Sequence, residues 1–137
     1  MRRAADLPGA LMRRLVLLGL ALALAPAALA SPLELINVSV GGLHFLIIRR
    51  GTVAPAHPTA QLIGCVEGHP NCALARARGL FGERLTGVDG VGFRADADLK
   101  EQILAAFRRE GAPATIELDF EPAGAGGEPN RAAFARR

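Results

Sequence analysis

Two cysteines, Cys65 and Cys72, are the only thiols of the chain, and both fall in the stretch LIGCVEGHPNCAL, residues 62–74. Their residue types allow three kinds of chemistry. A redox centre of the thioredoxin kind needs C-x-x-C at a helix start, where the helix dipole lowers a thiol pKa. Here six residues intervene, and the fit is poor. A metal site would draw on His57, Cys65, His69 and Cys72, donors that suit zinc or copper, but C-x3-H-x2-C is not a common ligand spacing. A disulfide would close a short ring containing Gly68 and Pro70 and would contribute about 2.5 kcal/mol through chain entropy. The ring would present Glu67, His69 and Asn71 as a candidate binding loop.

Other chemistry is thinly represented. No G-x-S-x-G elbow and no P-loop pattern occurs. With no tryptophan and no tyrosine, binding by aromatic stacking would rest on phenylalanine alone. His44 lies in an apolar strand pattern and reads as a satisfied histidine of that strand. Asp96 and Asp98 flank a helix start, where capping accounts for them. Glu117 and Asp119 alternate with apolar residues on the wet side of a strand, and no partner for general acid–base work stands near them by spacing. Arg76, Arg78 and Arg84 read as a solvated helix face, with a small anion-binding face as the alternative. Asn37–Val38–Ser39 matches a glycosylation sequon but lies inside a strand pattern. No catalytic residue and no cofactor is assigned, and the balance leans away from an enzyme.

The N-terminus sets the context for the thiols. Arg13–Arg14 precede an apolar run from Leu15 to Leu24, and AALA then leads to Ser31. A basic region, a short apolar core and an A-x-A site have the layout of a secretory signal peptide, with cleavage between Ala30 and Ser31. Met12 supplies a second start that leaves a complete signal by itself. The expected destination is the periplasm or the exterior by the general secretory route, where disulfides persist. A bacterial source fits the arginine-, alanine- and glycine-rich composition. The chain's net charge of +3 also belongs to this segment. Of its 16 basic residues four lie in 1–30, and of its 13 acidic residues one does, which leaves twelve of each beyond it. A neutral mature part argues against nucleic acid as a partner, and no stable membrane insertion is expected after cleavage.

The elements that would position the loop follow from periodicity. Ile36, Val38 and Val40 alternate with Asn37 and Ser39, Gly41–Gly42 gives a two-residue turn, and LHFLII continues as a second strand. Residues 51–61 read as a loop and QLIGCV as a short strand. EGHPN is a turn from which Asn71 would cap a helix over CALARARGLFGERL, shortened or broken at Gly79 and Gly82, with Leu74, Ala77 and Phe81 on one face. A brief strand follows at 91–93. Asp98 caps a helix whose apolar stripe is Leu99, Ile103, Leu104 and Phe107, stopped by Gly111 and Pro113. ATIELDF is a half-wet strand, and strand 91–93 would make residues 91–120 a βαβ unit.

The sum is an α+β fold: a small two-layer sandwich with an N-terminal β-hairpin and further short strands in one sheet and two helices on one face. Residues 31–121 would form this single domain, and 122–137, rich in glycine, proline and alanine, a disordered tail. The expected function is a non-catalytic binding or assembly domain with one structural disulfide, whose partner is another envelope or secreted protein. The alternatives are a periplasmic thiol or metal handler using Cys65, His69 and Cys72, and a secreted inhibitor presenting the ring.

Overall fold

The computed structural model describes residues 32–51, 53–124 and 127–137. The expected signal segment, its cleavage site at Ala30 and Ser31 and the start at Met12 lie outside the described residues.

Seven strands form one antiparallel sheet. Strands β1 (Leu33–Val40) and β2 (Leu43–Arg50) make the N-terminal hairpin, paired from Leu33↔Arg50 to Val40↔Leu43. The turn between them demands glycine twice, because Gly41 and Gly42 have φ of +57° and +72°. Next come β3 (Ala60–Cys65), helix α1 (Pro70–Arg78), β4 (Arg84–Val88), the two-residue β5 (Val91–Gly92) and helix α2 (Leu99–Arg108). Strands β6 (Thr115–Glu121) and β7 (Asn130–Ala135) close the chain. The sheet order is β1-β2-β3-β4-β6-β7, with β5 paired to β4 alone.

Period-two patterning selects the core face. Phe45, Ile47, Leu62, Leu85, Ile116, Leu118, Phe120 and Phe134 are buried in one cluster with Leu99, Ile103 and Phe107 of α2 and Ala75 of α1. The Phe120 ring sits between Phe45 and Phe134, with centroids 6.5 and 6.1 Å away. One apolar sheet face covered by two helices is the α+β sandwich that the patterning predicts. Helix α2 starts as its sequence dictates: the Asp98 carboxylate accepts from the Glu101 N–H at 3.2 Å.

Three expectations need correction and one needs refinement. Residues 122–137 are not wholly irregular: β7 pairs with β6 from Phe120↔Asn130 to Thr115↔Ala135 and buries Ala132 and Phe134. Residues 91–120 do run strand, helix, strand with β5 and β6 pointing the same way, since both are antiparallel to β4, but β4 lies between them and the two strands do not pair. Helix α1 begins earlier and ends earlier than expected. Its cap is His69, and Gly79 terminates it in the left-handed conformation at φ +63°. Its buried face is Asn71, Cys72 and Ala75, while Ala77 and Phe81 are exposed.

Candidate functional site

The Cys65–Cys72 segment is built from the end of β3 outward. Strand pairing brings Cys65 opposite Leu43 at the turn end of the N-terminal hairpin. The Val66 N–H then donates to the Gly42 carbonyl at 2.8 Å, and a turn through Gly68 leads into α1. Cys65 and Cys72 form a disulfide with their Cα atoms 5.2 Å apart. Both sulfurs are therefore committed to each other, and neither is a thiolate for redox chemistry or metal binding.

The other residues expected in this loop are occupied as well. His69 caps α1 through its side chain: Nδ1 accepts from the Asn71 N–H at 3.0 Å. Its ring also lies against the hairpin turn, where a Cβ placed on Gly42 would fall 2.3 Å from the imidazole. Asn71, 2% exposed, is the buried polar side chain of the core. Its Nδ2 donates to the carbonyls of Gly41 at 2.7 Å and Ala135 at 2.8 Å, and its Oδ1 accepts from the Ala135 N–H at 2.7 Å. One side-chain amide thus reads β7 as a neighbouring strand would, and ties it to the turn of the first hairpin. The sheet must curl for its first hairpin and last strand to meet at one side chain. Glu67 is exposed and bonded to Arg76 of α1, whose guanidinium hydrogen bond and charge hold the Glu67 carboxyl below its ordinary pKa.

The four donors considered for a metal are not assembled. Two are in the disulfide, His69 is capping, and exposed His57 lies in the connection from β2 to β3. There His57 lines two small cavities of about 200 and 270 Å³ whose walls include none of the other three. Among the described residues no group of three or more His, Cys, Asp or Glu is placed to hold a metal ion.

Arg76, Arg78 and Arg84 do not converge on an open anion site. Arg76 pairs with Glu67, Arg78 reaches the Arg131 carbonyl at 3.5 Å, and Arg84 lies near Glu121 and donates to the Pro122 carbonyl. Asp96 pairs with Arg94, which lowers the Asp96 pKa chiefly through their hydrogen bonds. Glu117 and Asp119 face Arg131 across the β6–β7 pair.

One nucleophile–base contact exists that spacing did not single out. Ser39 Oγ lies 2.8 Å from His44 Nδ1, directly across the β1–β2 hairpin. It has the reach of a serine–imidazole pair, but among the described residues no carboxylate is bonded to the ring to orient it. The pair bridges two strands on the sheet's outer face.

That outer face carries the feature without an internal explanation. Leu35 and Ile48 stand opposite each other and are 56% and 49% exposed, with Leu33 and Ile63 nearby in the same three strands at 57% and 49%. Their alternation is visible in the sequence, since Leu33 and Leu35 alternate with Glu34, Ile36 and Val38. Ile36, Val38 and Val40 alone suffice to specify a strand, so the second apolar set adds no local signal. β1 is also the terminal strand of the sheet, so no strand covers its second edge among the described residues. No helix among them is long and apolar enough to cross a membrane.

Compared with protein-family models, curated proteins and solved structures, the chain matches none.

Proposed function

We propose that the chain is an exported, non-catalytic binding domain that receives an extended segment of another envelope or secreted protein on its N-terminal hairpin. The observation that carries this reading is the apolar outer face of β1 and β2, where Leu33 and Leu35 on the end strand and Ile48 on its neighbour are each about half exposed. An exposed apolar end strand is a liability that folded proteins blunt with charge, proline or a cover. Left open, it offers backbone groups and apolar side chains to an added strand. The fold behind it is stapled by the disulfide and by Asn71, which makes the hairpin a fixed surface. The metal alternative loses support, because Cys65 and Cys72 are bonded to each other and His69 caps α1, while the inhibitor reading keeps its disulfide-closed ring but only Glu67 of its three loop residues is exposed.

Photo-crosslinking tests the reading. A photoreactive residue at position 35 or 48 of the exported protein gives a discrete adduct with one partner, and the same group at exposed Glu101 of α2 does not. Equal labelling at all three positions, or at none, overturns the assignment of the hairpin.

A further inference from the structure

Five of the eleven arginines beyond position 30 stand in ion pairs. Arg49 bonds Glu34, Arg76 bonds Glu67, Arg94 bonds Asp96, and Arg84 and Arg131 lie within ion-pair reach of carboxylates on β6. Arg108, Arg109, Arg136 and Arg137 make no ion pair among the described residues, and these four line one basin of about 940 Å³. The basin lies between the end of α2, the 109–114 turn and the end of β7, and Glu110 is the single acidic side chain in its lining.

A helix C-terminus attracts basic residues, which accounts for Arg108 and Arg109. It does not account for Arg136 and Arg137, which arrive from β7. Arg136 is fixed in place: it donates to the carbonyls of Pro113 at 2.8 Å, Thr115 at 3.4 Å and Ala106. Those bonds engage all three of its nitrogens and leave its charge in the basin. Around it, Gly111, Ala112 and Ala114 keep the floor small, so an extended chain can approach the rim guanidinia closely.

We propose that this basin binds an acidic segment of a partner protein, its carboxylates meeting Arg108, Arg109 and Arg137. Guanidinium groups match carboxylates in two-pronged hydrogen bonds. The concave shape fits a peptide better than a flat anionic membrane. A long polyanion such as a duplex would also meet repulsion elsewhere, because the basic and acidic residues beyond position 30 are equal in number and Asp89, Glu117 and Asp119 outnumber the Arg131 they surround. This surface is distinct from the outer face of the hairpin and stands or falls separately from it.

The test uses the folded domain and a labelled oligoglutamate peptide, with anionic phospholipid vesicles and a short DNA duplex as rival ligands. The peptide binds at low salt and weakens about tenfold or more between roughly 50 and 300 mM NaCl, as screening of exposed charges requires. Arg108→Glu combined with Arg109→Glu weakens binding at least about tenfold at low salt, and Arg137→Glu, on the other wall, weakens it in the same direction. Leu35→Glu with Ile48→Lys leaves it unchanged. Thermal melts confirm that each variant is folded. Peptide binding insensitive to both sets of arginine changes overturns the proposal, and so does tighter binding of vesicles or duplex than of peptide.

Discussion

The Asn71 amide satisfies three backbone groups at once, on Gly41 and Ala135, from a position 2% exposed. Truncating it strands those groups without bringing water to them. Asn71→Ala is expected to cost about 2–4 kcal/mol, since each buried group left unpaired costs about 1–3 kcal/mol. Urea denaturation of the oxidised protein measures it, and a loss within error of zero would mean that water replaces the amide. Gly42 tests the other contact of the loop. Gly42→Ala places a Cβ into the His69 ring at a φ of +72° and is expected to destabilise by about 1–3 kcal/mol. The ring-clash part disappears in a His69→Ala background and the backbone part does not, so a double-mutant cycle separates them. Glu67 makes a pH prediction. Its carboxyl is held low by Arg76, so the pair's contribution is complete above the unfolded carboxyl pKa and is lost as pH falls through the folded value. An NMR titration should show a depressed Glu67 midpoint that returns toward normal in Arg76→Ala. At this scale the sequence announced which residues mattered but exchanged their roles. Asn71 has the residue type of a cap, yet Pro70 is a first-turn helical residue, which makes the residue before it the cap. Asn71 was freed for contacts with residues 30 and 64 positions away, which no local spacing reveals.

Strand β7 is the element in which local signal and outcome differ most. Residues 122–129 contain the glycine and proline of a loop, and NRAAFA offers only Ala132 and Phe134 as an alternating pair. Its strand character comes from β6 beside it and from Asn71 at its end, both distant in sequence. Phe134, fully buried against Phe120, is expected to cost about 3–5 kcal/mol on change to Ala. If β7 were dispensable, Phe134→Ala would melt like the parent. The first hairpin and α2 were legible because each contains its own specification: a Gly-Gly turn between alternating runs, and a capped stripe of period 3.6. Helix α1 was legible as a helix but not in its face, because its short apolar residues leave the stripe to be chosen by the disulfide at Cys72. Replacing both cysteines with serine should lower stability by about 2.5 kcal/mol, the loop-closure term of a short ring. A loss much larger than this would show that the disulfide also fixes the Asn71 contacts.

At the scale of the molecule, the curled sheet and its helices leave two surfaces without internal partners among the described residues: the apolar outer face of β1 and β2, and the arginine basin at the ends of α2 and β7. The cysteine loop is a staple that joins the end of β3 to α1 beside the hairpin turn. Export is part of the proposed role, and mass spectrometry of the mature protein should find Ser31 at its N-terminus and a mass two hydrogens below that of the reduced chain. The central claim is that the hairpin face binds a protein partner. Its most direct measurement compares partner recovery by the exported parent protein and by the Leu35→Glu, Ile48→Lys variant, whose opposite charges face each other across the hairpin and preserve its pairing. The account predicts that both melt at the same temperature, while the partner crosslinked at position 35 or 48 of the parent is no longer recovered with the variant. Equal recovery of that partner by a folded variant would contradict it.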